Sequence, residues 1–156
     1  SSKINAQKPN PELSYTQSEK LIFLDNESGT SNSVTFKSVF KSDGAKEPST
    51  TWEFSGVAGK DWKIIKGSLE SEEVELEFKK VGIYSFTLNT IYQYTVSGEE
   101  EPEEDERSIE KENIVYVLQE LPGTKAGAPK INIMSAREYG DFRFLLPEFS
   151  QIIFSP

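Results

Sequence analysis

Between Val74 and Val96 the chain reads VELEFKKVGIYSFTLNTIYQYTV, and its apolar and polar residues alternate almost without exception. Val74, Leu76 and Phe78 share one side, and Glu73, Glu75, Glu77 and Lys79 the other. After a turn at Lys80–Gly82, Tyr84, Phe86, Leu88, Tyr92, Tyr94 and Val96 line one face, opposite Ser85, Thr87, Asn89, Gln93 and Thr95. A period of two wound on a helix would scatter the apolar residues round the cylinder, so both halves are predicted strands with one face in a core.

The same pattern recurs along the chain. Leu13–Thr16 can begin pairing, and LIFLD (21–25) is an unbroken apolar run that fits a strand covered on both sides. Val34–Phe40 sets Val34, Phe36 and Phe40 together, and Thr50–Ser55 sets Trp52 and Phe54 against Glu53. Trp62–Ile65 and Ile114–Gln119 are further short strands, separated from their neighbours by turn-forming Ser-Asp-Gly, Gly and Pro positions. No stretch has helical periodicity. About seven short strands punctuated in this way predict an all-β, antiparallel β-sandwich.

The organisation expected is a polar, proline-bearing leader over 1–12, a sandwich over 13–120, and a C-terminal extension over 121–156. Residues 121–129 carry Pro122, Gly123, Gly127 and Pro129, as a connector would. The YGDFRFLLPEFSQIIF segment (139–154) is too apolar for a free tail, so it is expected to add strands to the sandwich or dock across a face.

Composition narrows the chemistry. The 156 residues include no cysteine and no histidine, which removes disulfides, thiol catalysis, the commonest general base and the usual transition-metal ligands. A formal charge of −9 opposes a nucleic-acid groove and an anionic membrane surface. No apolar run approaches the roughly 20 residues that span a bilayer. Seven of the eight residues from Glu99 to Glu106 are acidic, the eighth being Pro102. Mutual repulsion predicts a solvated, mobile loop there, and the absence of a D-x-D-x-D-G spacing argues against calcium.

Two stretches together resemble the PKD (polycystic-kidney-disease-type) immunoglobulin-like domain: Trp52-Glu53-Phe54-Ser55-Gly56, and Gly82-Ile83-Tyr84-Ser85-Phe86-Thr87-Leu88. The family pattern is W-D-F-G-D-G followed by G-x-Y-x-V-x-L; here Glu53 replaces the aspartate, Ser55-Gly56 the Gly-Asp-Gly turn, and Phe86 the valine. The resemblance spans roughly residues 34–119. It implies an immunoglobulin-like sandwich from a bacterial cell-surface protein, extracellular and in some members lipid-anchored, that acts without catalysis or cofactor as an adhesion, spacer or polymer-binding unit. Polysaccharide or another cell-envelope protein is the expected partner, and a monomer the expected state.

Most aromatic residues alternate in phase with the core, which makes Trp52, Phe54, Tyr84 and Phe86 packing residues. Trp62 follows a glycine-bounded loop, and Tyr92 and Tyr94 end an unusually long strand. Core or rim packing is the simpler assignment for all three, but they are also the candidate ligand-binding residues, since exposed rings stack on sugar faces. Two readings compete with the binding module: a structural spacer with no ligand, and a small carboxylate-dependent glycan hydrolase. No P-loop, dinucleotide fingerprint or nucleophile motif supports catalysis.

Overall fold

The structure is a computed structural model and describes residues 8–24 and 32–119. Eight strands follow one another: β1 (Glu12–Gln17), β2 (Leu21–Leu24), β3 (Ser33–Lys41), β4 (Lys46–Phe54), β5 (Trp62–Gly67), β6 (Glu73–Phe78), β7 (Gly82–Tyr94) and β8 (Glu103–Gln119). They form two four-stranded sheets, β1-β3-β6-β5 and β2-β8-β7-β4, packed face to face as a β-sandwich. The C-terminal extension expected over 121–156 lies outside the described residues.

Each sheet follows from the alternation. In β6 the burial repeats every second residue, taking Val74, Leu76 and Phe78 inward. In β7 Tyr84, Phe86, Leu88, Thr90, Tyr92 and Tyr94 are all buried. Slipping either strand by one residue would turn its whole apolar set to water, so burial fixes the register. Phe36 on β3, in one sheet, meets Phe86 on β7, in the other, edge to face with centroids 5.7 Å apart. Trp52 on β4 lies 5.9 Å from Phe36 and 5.4 Å from Phe86, and its indole Nε1 donates to the Ser71 carbonyl at 2.9 Å. The indole is thus buried with its one polar group satisfied. At the start of β7, the Tyr84 hydroxyl donates to the Lys80 carbonyl at 2.8 Å and pins the crossing from β6. Gly67 ends β5 at φ +77°, where a Cβ would strike the Glu73 carbonyl oxygen.

Four expectations are corrected. The fold is not wholly antiparallel, because β2 runs parallel to β8 with Leu21 opposite Tyr116. LIFL is covered on one side only: Ile22 and Leu24 are buried, whereas Leu21 and Phe23 are 46% and 44% exposed. β4 begins at Lys46 rather than Thr50, with its register shifting between Lys46 and Ser49. Its Pro48 is tolerated because β4 is an edge strand, where the missing N–H breaks no ladder.

The fourth correction concerns the acidic run. Only Glu99–Pro102 belongs to the turn; Glu103–Glu106 opens β8 and pairs with Tyr94, Gln93, Tyr92 and Ile91. Repulsion does not prevent this, because each carboxylate faces an uncharged residue across the ladder and successive side chains point to opposite faces. Residues 8–11 are held against the sandwich, and Pro11 is buried.

Candidate functional site

The three aromatic candidates do not form a platform. Trp62 is 2% exposed, donates its Nε1 to the Ser55 carbonyl at 2.8 Å and packs edge to face on Phe54. Tyr92 is 0% and Tyr94 8% exposed; they belong to a small second cluster with Ala45, flanked by Phe40 and Val96. Trp62 is in the main core, so the structure does not bring it together with the two tyrosines. The in-phase alternation that carries Tyr92 and Tyr94 inward is the physical reason, and none of the three rings offers an open face to a sugar.

The outward faces of the two sheets differ in chemistry. On the first, the acidic stripe of β6 is flanked by lysines: Glu73 lies opposite Lys37, Glu75 opposite Lys66 and Glu77 opposite Lys63. The Lys63 ammonium stands 3.6 Å from Glu77, and the Ser33 hydroxyl bonds Glu75. That face neutralises itself.

The second sheet does not. Along β8 the outward positions are Glu104, Glu106, Ser108 and Glu110; on β7 they are Gln93, Ile91, Asn89 and Thr87. Across the rows, Thr87 stands between Glu53 of β4 and Glu110 of β8, and Asn89 between Thr51 and Ser108. Two strand spacings put the Glu53 and Glu110 backbones about 10 Å apart. The Ser108 hydroxyl donates to Asn89 Oδ1 at 2.6 Å, which orients the amide.

At the lower end of these rows the surface dips into a shallow depression of about 320 Å³, lined among others by Glu53, Ser55, Ser85, Thr87, Glu110 and Glu112. A register shift between Tyr84 and Phe86, with Asn113 at φ +56°, bends β8 here. Serines stitch the bend: Ser55 Oγ accepts from the Ser85 amide and Ser85 Oγ from the Asn113 amide, each at 2.9 Å. Lys111 is the sole cation among the lining residues.

This arrangement offers carboxylate, hydroxyl and amide groups on a rigid, open surface. It can accept and donate several hydrogen bonds at once, or attract a cationic group. Among the described residues, no three Asp or Glu side chains gather to hold a metal ion. The site escaped the sequence reading because the acidic run was cut at Glu106. Followed further, E-x-E-x-S-x-E-x-E from Glu104 to Glu112 is itself a period-two polar row, the mark of a solvent-facing strand. No protein-family model, curated protein or solved structure matches the chain.

Proposed function

We propose that this sandwich is a non-catalytic, PKD-like immunoglobulin-type interaction module of a bacterial cell-surface protein, and that its contacts are made by the outer face of the β2-β8-β7-β4 sheet. Three features support the immunoglobulin-like assignment: the sheet orders β1-β3-β6-β5 and β2-β8-β7-β4, the buried Trp52 on the fourth strand, and the tyrosine corner of Tyr84 on Lys80. In immunoglobulin domains a disulfide joins the two sheets beside the tryptophan; here the Phe36–Phe86 pair occupies the equivalent place against Trp52.

The observation that carries the binding reading is the Glu53–Thr87–Glu110 row over the depression. Carboxylates beside hydroxyls and an oriented amide suit a hydroxyl-rich, uncharged polysaccharide, since each sugar hydroxyl can donate to an acid and accept from an amide or hydroxyl. An anionic glycan would be repelled. Glu53, Glu110 and Glu112 are all exposed, so no apolar wall sets one carboxyl apart as a general acid from another as a base. That weighs against hydrolysis.

The test is retention on an array of neutral and anionic microbial, plant and host glycans, with calcium present and then chelated. Binding to neutral polymers that falls at least about tenfold in Glu53→Gln/Glu110→Gln, a loss of about 1.4 kcal/mol, supports the reading. Silence across the array, or retention untouched by that pair of changes, overturns it in favour of a spacer or another face. Release of reducing ends would favour the hydrolase.

A further inference from the structure

The end of the sandwich that holds Tyr92 and Tyr94 is closed by side chains unlike those of the main core. Lys8, in the segment before β1, reaches the Asp105 carboxylate of β8 at 3.1 Å and lies 5.7 Å from the centre of the Tyr94 ring. Arg107, also on β8, lies 5.5 Å from the centre of the Tyr92 ring and donates to the Pro11 carbonyl at 3.1 Å and to Asn10 Oδ1 at 3.0 Å. On the other side, the Asn10 amide donates to Asp43 in the turn between β3 and β4 at 2.7 Å. Three of the four residues Lys8–Pro11, which lead into β1 of the first sheet, are therefore tied to β8 of the second sheet and to the β3–β4 turn.

We infer that Lys8–Pro11 is an ionic latch that closes this end of the sandwich over Tyr92 and Tyr94, and that it opens while the main core stays folded. Three observations carry this. First, the ties are weak individually: Lys8 and Asp105 are 58% and 35% exposed, and exposed ion pairs contribute little and are screened by salt. Second, the Tyr92 hydroxyl is buried beside the Asp105 carboxylate that Lys8 holds, so release of Lys8 frees the group standing over the ring and lets water reach both. Third, the Tyr92 cluster is separated from the main core along β7 by Thr90 and along β4 by Thr50, both buried and polar. Local opening at one end need not propagate through such a break.

Residue-resolved hydroxyl-radical footprinting of the full chain tests the latch, with Tyr84, in the main core on the same strand, as internal reference. Raising salt from about 10 mM to about 1 M shrinks the screening length from roughly 30 to 3 Å. Labelling of Tyr92 and Tyr94 relative to Tyr84 should then rise roughly two- to fivefold, the range that exposed ion pairs support. Lys8→Ala/Asn10→Ala, which removes the ion pair and the Asn10 Oδ1 tie but leaves the two backbone ties, should label above the wild type in low salt and respond less to added salt. Labelling that stays flat in both proteins, or that rises by the same factor at Tyr84, overturns the proposal; the second result would mean global unfolding.

Discussion

The two apolar clusters of this sandwich are built on the same strands by different means. Among the described residues the main cluster gathers fourteen that are buried, from both sheets, and its aromatic rings interlock through contacts of 4.9–5.9 Å. Its polar atoms are paired: both tryptophan N–H groups and the Tyr84 hydroxyl have backbone acceptors. Among the described residues the second cluster holds Ala45, Tyr92 and Tyr94, is roofed by charged side chains, and adjoins the buried Thr90 hydroxyl, which meets no hydrogen-bond partner among them. Close packing with satisfied polar groups makes a region hard to open, and a buried orphan hydroxyl does the reverse. The first cluster therefore holds the fold, and the second can yield without it.

Breaking the main cluster should have the largest effect. Phe36→Ala removes a ring in contact with Trp52, Phe54 and Phe86 and should cost about 3–5 kcal/mol in urea unfolding. A cost below about 1 kcal/mol would mean that the two sheets do not depend on that contact. Sharpening the boundary between the clusters should have a smaller effect of opposite sign. Thr90→Val keeps the shape and removes a hydroxyl that meets no partner among the described residues, so it should stabilise the chain by up to about 1 kcal/mol; destabilisation would show that the hydroxyl has a partner in solution.

The smallest effect concerns pH and only the latch end. The amide of Glu106 and then the Lys8 ammonium hold the Asp105 carboxyl below its ordinary value, while the Asp105 hydrogen bond raises Lys8 above its own. Asp105 thus supports closure above the ordinary aspartate range, and that support is lost as pH falls through its lowered value. Lys8 supports closure below the ordinary lysine range and loses it only as pH rises through its raised value. Arg107 and Asp43 are the other charged groups that meet this segment, through the Pro11 carbonyl, Asn10 Oδ1 and the Asn10 backbone amide. Tyr92 and Tyr94 labelling should therefore be flat near neutrality and climb in acid before the Tyr84 signal moves; a Tyr84 rise at the same pH would place the transition in the core.

Burial decided what was legible in the sequence. The strands β3, β6 and β7 could be read almost residue by residue, because one face of each is buried and the alternation records it. The start of β8 could not, since Glu103–Glu106 has no apolar face and its pairing is dictated by the partner strand β7. Tyr92 and Tyr94 show the converse, since their in-phase positions already implied burial, whereas Trp62 heads a strand that does not alternate and is buried by its contacts with Phe54 and the Ser55 carbonyl.

The sequence by itself determined the all-β character of the described residues, the inward residues of the central strands, and an absence of histidine and cysteine chemistry, because side-chain alternation and composition are local properties. Only the tertiary structure decided that β2 joins β8 in parallel, that Lys8–Pro11 is tied to β8 and to the β3–β4 turn, and that Glu53, Thr87 and Glu110 fall in one row. Those outcomes depend on which strands become neighbours. That choice is made by burying the two faces against each other, and no single stretch of sequence contains it.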